Sequence, residues 1–129
     1  MCGITGKLYF NPLKKIDISE LKDMSNSIYH RGPDDEGHYI SDNIGLGFRR
    51  LSIIDIQNGH QPLSNINKSI WITFNGEIYN FQELRQKLIK KNYKFKTKTD
   101  TEVIVNLYEE YGEDCTKHLR GMFAFVIWD

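Results

Sequence analysis

The chain has 129 residues, 40% of them hydrophobic and 26% charged, a globular balance with enough length to bury a core without disulfide or metal staples. Lys+Arg 17 equals Asp+Glu 17, so no charge excess exists to neutralise phosphates, which argues against nucleic acid as the main partner. No apolar run approaches the ~20 residues of a membrane span, and the start of the chain lacks the basic-then-apolar layout of a secretory signal. A cytoplasmic location with no membrane partner is therefore expected.

Taken in chain order, Ile4–Phe10 mixes β-formers with glycine and predicts a first strand. Asp17 caps a helix, with Glu20 placed for a capping box and Ile18, Leu21, Met24 and Ile28 as its apolar stripe. His30–Gly37 (HRGPDDEG) predicts a loop, because Gly and Pro flank a charge cluster. Strands are expected at His38–Ser41, Ile44–Phe48 and Arg50–Ile54, with Asp42-Asn43 turning between the first two. Asp55–Asn67 is polar and turn-rich, as a surface loop would be.

Ser69–Phe74 predicts another strand, and Asn75-Gly76 after it signals a tight turn. Asn80 with Glu83 opens a helix to about Lys91, and Phe95 falls in a short strand. Thr99 and Glu102 form a capping box for a helix with Val103, Ile104, Leu107, Tyr108 and Tyr111 inward, closed by Gly112. Met122–Trp128 predicts a buried strand, and a chain that stops just beyond it reads as a fragment. This order lacks the regular alternation of a parallel α/β sheet and suits α+β layering.

Two cysteines, Cys2 and Cys115, make neither a metal-ligand spacing nor a disulfide framework. If Met1 is removed, Cys2 carries a thiol and a free α-amine on one residue. An α-amine of pKa ~7.7–8.0 can take a proton near neutrality, which suits activation of a tethered thiol. On position alone, an ordinary cysteine at the second residue is the favoured reading.

Its context changes that. Met1-Cys2-Gly3-Ile4, His30-Arg31-Gly32-Pro33-Asp34, Arg50-Leu51-Ser52-Ile53-Ile54-Asp55, Asn75-Gly76-Glu77-Ile78-Tyr79-Asn80 and Thr99-Asp100-Thr101-Glu102 follow one another in a single order. The set resembles the class II glutamine amidotransferase domain, of the N-terminal nucleophile hydrolase type, at the start of glutamine-hydrolysing asparagine synthetases. The resemblance covers essentially the whole chain. Pro33-Asp34, Arg50–Asp55, Glu77–Asn80 and Gly121–Phe125 look like the asparagine synthetase branch rather than the purine or glucosamine relatives.

The resemblance implies a four-layer αββα sandwich of two antiparallel sheets, C-terminally incomplete, with 1–129 as a partial amidotransferase domain. It implies hydrolysis of L-glutamine to L-glutamate and ammonia through a thioester on Cys2. Asn75 and Gly76 look like the oxyanion hole. Arg50 resembles the grip on the substrate α-carboxylate, and Asp100 and Glu77 resemble the contacts at its α-ammonium. Leu51, Ser52, Ile53 and Ile54 complete the glutamine pocket, Ser52 to Ile54 through backbone groups. Adjacent strand residues face opposite ways, so Arg49 is expected to be a surface or second-face charge.

His30 is expected to be structural, and Cys115 a half-buried thiol. Tyr108, Tyr111, Phe123, Phe125 and Trp128 read as core. No metal or cofactor is expected in this chain. ATP and Mg belong, by the resemblance, to a C-terminal synthetase domain that amidates aspartate, and the full-length form is compatible with a homodimer. Two alternatives stay open: the same chemistry with a sugar or cell-wall acceptor, and a non-catalytic fragment acting as a partner-dependent interaction module.

Overall fold

The computed structural model describes residues 2–52 and 59–129. Two antiparallel three-stranded sheets form its centre. The first has the order β1 (Gly3–Leu8), β3 (Ile44–Arg50), β2 (Asp35–Ser41), with Gly3 opposite Arg49 and Asp35 opposite Arg50. The second has the order β4 (Leu63–Ser64), β5 (Trp71–Ile78), β6 (Gly121–Trp128), with β5 and β6 in register from Trp71 opposite Trp128 to Ile78 opposite Gly121. Helix α1 (Ile18–Ser27) covers the first sheet; α3 (Asp100–Tyr111) covers the second, with α2 (Phe81–Lys90) against α3. β5 meets β1 and β3 between the sheets. The layering is helix, sheet, sheet, helix, as the α+β expectation had it.

The alternation along β3 explains the close packing of α1. A Cβ on Gly45 would lie 3.1 Å from Leu21 Cδ2, and one on Gly47 2.5 Å from Ser25 Oγ. Side chains would block the helix there. The intervening Leu46 and Phe48 are 1% and 0% exposed, on the opposite face. The larger core lies under α3, where Ile72, Phe74, Ile78, Leu84, Leu88, Val103, Ile104 and Leu107 cluster.

Several local expectations are corrected by tertiary pairing. Asn75-Gly76 is no tight turn: both residues lie inside β5, opposite Ala124 and Phe123. Asp35–Gly37 belongs to β2, and a 3-10 turn at Tyr29–Arg31 precedes it. β3 ends at Arg50 and residues 51–52 are not strand, while Ile53 and Ile54 lie outside the described residues. The first strand stops at Leu8, and Phe10 is 96% exposed. Phe95 is not in a strand; its ring stacks beneath the Arg85 guanidinium, 4.1 Å from the centroid, against the core. β6 is not buried, since Met122, Phe123 and Val126 are exposed on the edge strand of its sheet among the described residues.

The caps also depart from the pattern. Asp17 accepts from Ser19 N (2.8 Å), but Glu20 pairs with Lys7 Nζ at 2.5 Å. Asn80 makes no side-chain cap; its Oδ1 accepts from Arg120 N (3.0 Å) and its Nδ2 donates to His118 O (2.9 Å). Thr99 Oγ1 accepts from Glu102 N (3.3 Å), whereas the Glu102 carboxylate reaches back to Lys96 N and Thr97 N, both at 2.7 Å. Gly112 closes α3 at φ +59° as expected.

Candidate active site

Cys2 lies just before β1 and is half-buried. Its Sγ accepts from Leu51 N at 3.4 Å and faces Leu51 O at 3.6 Å, which ties the start of the chain to the end of β3. The HRGPD segment holds this junction closed. Arg31 donates to Cys2 O from Nε (3.3 Å) and Nη2 (3.2 Å), Asp34 N donates to Arg50 O (3.0 Å), and Asp34 Oδ2 accepts from Ser52 N (2.8 Å). A Cβ on Gly32 would sit 2.5 Å from the Arg50 carbonyl carbon, so only glycine lets the segment lie against β3. His30 is exposed and outside this arrangement.

A cavity of about 130 Å³ opens between the sheets and the start of α3. Cys2, Arg50, Leu51, Asn75, Gly76, Glu77 and Asp100 line it. The fold thus brings together residues from the chain start, the end of β3, the middle of β5 and the first turn of α3. Ser52 is not among the lining residues, and its N–H is engaged by Asp34.

The two adjacent arginines separate as strand geometry requires. Arg50, 6% exposed, lines the cavity. Arg49, 7% exposed, faces α1: its Nε donates to Ser25 O (3.3 Å), Nη2 bonds Asn26 Oδ1 and pairs with Glu36 Oε2 (2.7 Å), and its guanidinium lies over the Tyr29 ring. It occupies the second face as a buried anchor rather than a surface charge.

Asp100 opens α3 and is 5% exposed. Its Oδ2 accepts from Ile78 N (3.1 Å) and its Oδ1 from Thr101 N (3.0 Å), so one carboxylate joins helix to strand. Burial pushes its carboxyl above the ordinary range; the nearby Glu77 acts in the same direction, and the Ile78 N–H opposes it. Cys115 is 1% exposed, more buried than expected, with burial raising its thiol; it does not line the cavity.

Sequence reasoning missed Gln61, Phe74, Thr101 and Met122, which also line the cavity. A glutamine in a polar loop carries no pattern, and only the packing of that loop onto β5 brings it in. Among the described residues no group of three or more His, Cys, Asp and Glu could hold a metal, and no helix is long and apolar enough to cross a membrane.

A family model described as "Glutamine amidotransferase domain" matches residues 1–129. Asparagine synthetase [glutamine-hydrolyzing] 1 of Bacillus subtilis (strain 168) is 50% identical, over 100% of this chain and 21% of the relative. Asparagine synthetase [glutamine-hydrolyzing] 2 of Oryza sativa subsp. japonica is 45% identical, over 100% of this chain and 22% of the relative. The chain therefore spans about a fifth of the length of these curated relatives.

Among solved structures, the glutamine phosphoribosylpyrophosphate amidotransferase from B. subtilis, complexed with ADP and GMP, superimposes with a TM-score of 0.58. It is 25% identical, over 69% of this chain and 22% of that one. The two-sheet sandwich is thus that of the N-terminal nucleophile hydrolase amidotransferases. With its whole length matched, the chain belongs to the glutamine amidotransferase domain family.

Proposed function

We propose that this domain hydrolyses L-glutamine to L-glutamate and ammonia, with Cys2 as nucleophile. The observation that carries the reading is that Cys2, Arg50, Asn75, Gly76, Glu77 and Asp100 line one and the same cavity. After removal of Met1, the α-amine of Cys2 takes the thiol proton as sulfur attacks the substrate's side-chain amide carbon. The oxyanion of the tetrahedral intermediate is held by the Asn75 side-chain amide and the Gly76 N–H; each such donor typically contributes ~2.7–4 kcal/mol to lowering the barrier. The C–N bond then breaks, the amine proton goes to the departing nitrogen, and ammonia leaves a thioester. Water attacks that thioester, gives its proton back through the α-amine, and releases glutamate and the thiol.

Arg50 supplies a planar fork for the α-carboxylate. Asp100 and Glu77 put negative charge at the α-ammonium end. The backbone of Leu51, against which Cys2 Sγ rests, positions the sulfur. In the whole protein the ammonia is destined for ATP- and Mg-dependent amidation of aspartate to asparagine by a C-terminal synthetase domain, in the cytoplasm; the curated relatives' names, glutamine-hydrolyzing asparagine synthetases, support the link from glutamine hydrolysis to asparagine. The 1–129 segment is then the partial glutaminase unit.

The test is intact mass after incubation with 6-diazo-5-oxo-L-norleucine, a glutamine analogue that alkylates such nucleophiles, beside Cys2→Ala. One adduct on the Met1-less chain, absent from the variant, is expected. No adduct on a folded, processed chain would refute the reading.

A further inference from the structure

Gln61 is 6% exposed, and its carboxamide is engaged at both ends. Oε1 accepts from Phe74 N at 2.6 Å, while Nε2 donates to Phe74 O at 3.2 Å and to Thr101 Oγ1 at 3.2 Å. β4 pairs with β5 only through Leu63 and Ser64, opposite Ile72 and Trp71, so that ladder has ended before Phe74. There the Gln61 side chain replaces a strand, pairing with both backbone groups of the residue that precedes Asn75. Its remaining N–H reaches the residue after Asp100. Its own carbonyl lies against the first sheet, since a Cβ on Gly37 would fall 1.8 Å from Gln61 O. One side chain thus joins the Asn75-Gly76 stretch to the start of α3, at the wall of the cavity.

We propose that Gln61 is a positioning residue for the glutaminase site, setting the Asn75-Gly76 donors in register with Asp100. The inference rests on the glutaminase reading above. It goes beyond packing because the pattern of one acceptor and two donors is filled only by a carboxamide. A leucine or methionine of similar size would leave Phe74 N–H and C=O unpaired inside the protein. A glutamate keeps the acceptor but loses both donors, and regains one when protonated.

The test compares Gln61→Glu with the unsubstituted 129-residue chain. The readouts are the rate of Cys2 alkylation by 6-diazo-5-oxo-L-norleucine from pH 6 to pH 8, and alkylation by iodoacetamide as a measure of bare thiol access. At pH 8 the analogue should react at least tenfold slower with the variant, with iodoacetamide unaffected. The variant-to-parent ratio should recover severalfold toward pH 6, as protonation restores a hydrogen bond to Phe74 O.

Thr101→Val and Thr101→Ser give an independent reading should Gln61→Glu not fold. The valine removes the Gln61–Thr101 bond at nearly constant side-chain size and should raise the concentration of analogue needed for half-maximal rate. The serine should restore it. Parent-like rates in Gln61→Glu and Thr101→Val would overturn the inference, as would a loss without pH recovery that serine does not rescue. No labelling of the folded parent chain would instead refute the glutaminase reading itself, so the two failures are distinct.

Discussion

Replacing Gly76 with alanine isolates the contact on which the β5–β6 register depends. The added Cβ would lie 2.2 Å from Met122 O and 2.6 Å from Phe123 Cα, both backbone atoms that no rotamer change can move. The residue also sits at φ +155°, which side chains rarely adopt. Overpacking against immovable atoms costs about 1–3 kcal/mol, and backbone strain adds about 1–3. The expected loss is therefore roughly 2–6 kcal/mol, a large share of the 5–15 that holds a typical domain together.

Gly112→Ala is the matched comparison. That residue also has a positive φ, +59° with ψ −139°, but a Cβ there meets nothing within 4 Å. It should lose only the conformational part, about 1–3 kcal/mol. Urea denaturation followed by far-UV circular dichroism measures both, with unchanged slopes licensing the comparison. Equal losses in the two variants would refute the argument that close approach of β6, rather than φ alone, demands glycine at 76. Because Asn75 is adjacent, Gly76→Ala should also abolish analogue labelling of Cys2 in whatever fraction stays folded.

The paired arginines should respond oppositely. Arg50→Lys should raise KM for glutamine about 10- to 100-fold, the equivalent of a charge-assisted hydrogen bond of ~1.5–3 kcal/mol. Arg49→Lys should leave KM near parent but lower stability by about 1–3 kcal/mol, since lysine cannot meet Ser25 O, Asn26 and Glu36 together. Asp100 is held above the ordinary carboxylate range, chiefly by burial, so its charge is lost as pH falls through that raised value. KM should climb on the acid side earlier than an exposed aspartate would dictate, and Asp100→Asn should remove that limb while raising KM at all pH.

His38, bonded to Ser25 Oγ at 3.1 Å, is held below the ordinary histidine range by burial. Its neutral form is favoured in the folded state, so the stability it contributes is intact above the unfolded pKa of ~6.5. That stability is lost as pH falls from there through the lower folded value. Urea midpoints at pH 7.5 and 5 should diverge in the parent and less so in His38→Gln.

Much of the fold could be read directly because its signals are local. The Thr99 cap, the Val103, Ile104 and Leu107 stripe and the Gly112 stop define the 12-residue α3 from near neighbours alone, and the structure keeps all three. Asp42-Asn43 likewise turns β2 into β3, with Asp42 at φ +48°. Where the pattern misled, a partner distant in the chain had taken over. Asn75-Gly76 carries the signal of a tight turn, yet Phe123 and Ala124 claim it as mid-strand. Asn80 has a capping side chain, yet Arg120 and His118 engage it. Glu20 is placed for a capping box, yet Lys7 holds it.

The candidate site divides in the same way. Cys2, Arg50, Asn75, Gly76, Glu77 and Asp100 were legible as residue types in an ordered set of motifs; strand alternation said that only one of Arg49 and Arg50 could face a site, and the motif register, with Arg50 directly before Leu51, chose between them. Which face that alternation turned toward a cavity, and that Arg31 and Asp34 clamp Cys2 and Ser52, depended on β1 pairing with β3. Gln61 was invisible, for its hydrogen bonds run to Phe74 and Thr101, 13 and 40 residues away. By itself the sequence determined the chemistry available and the short-range elements that carry it, because propensity, capping and alternation act between near neighbours. The tertiary structure alone decided which of those groups share one cavity and what holds them there, because buried polar groups must find partners wherever the packed chain supplies them.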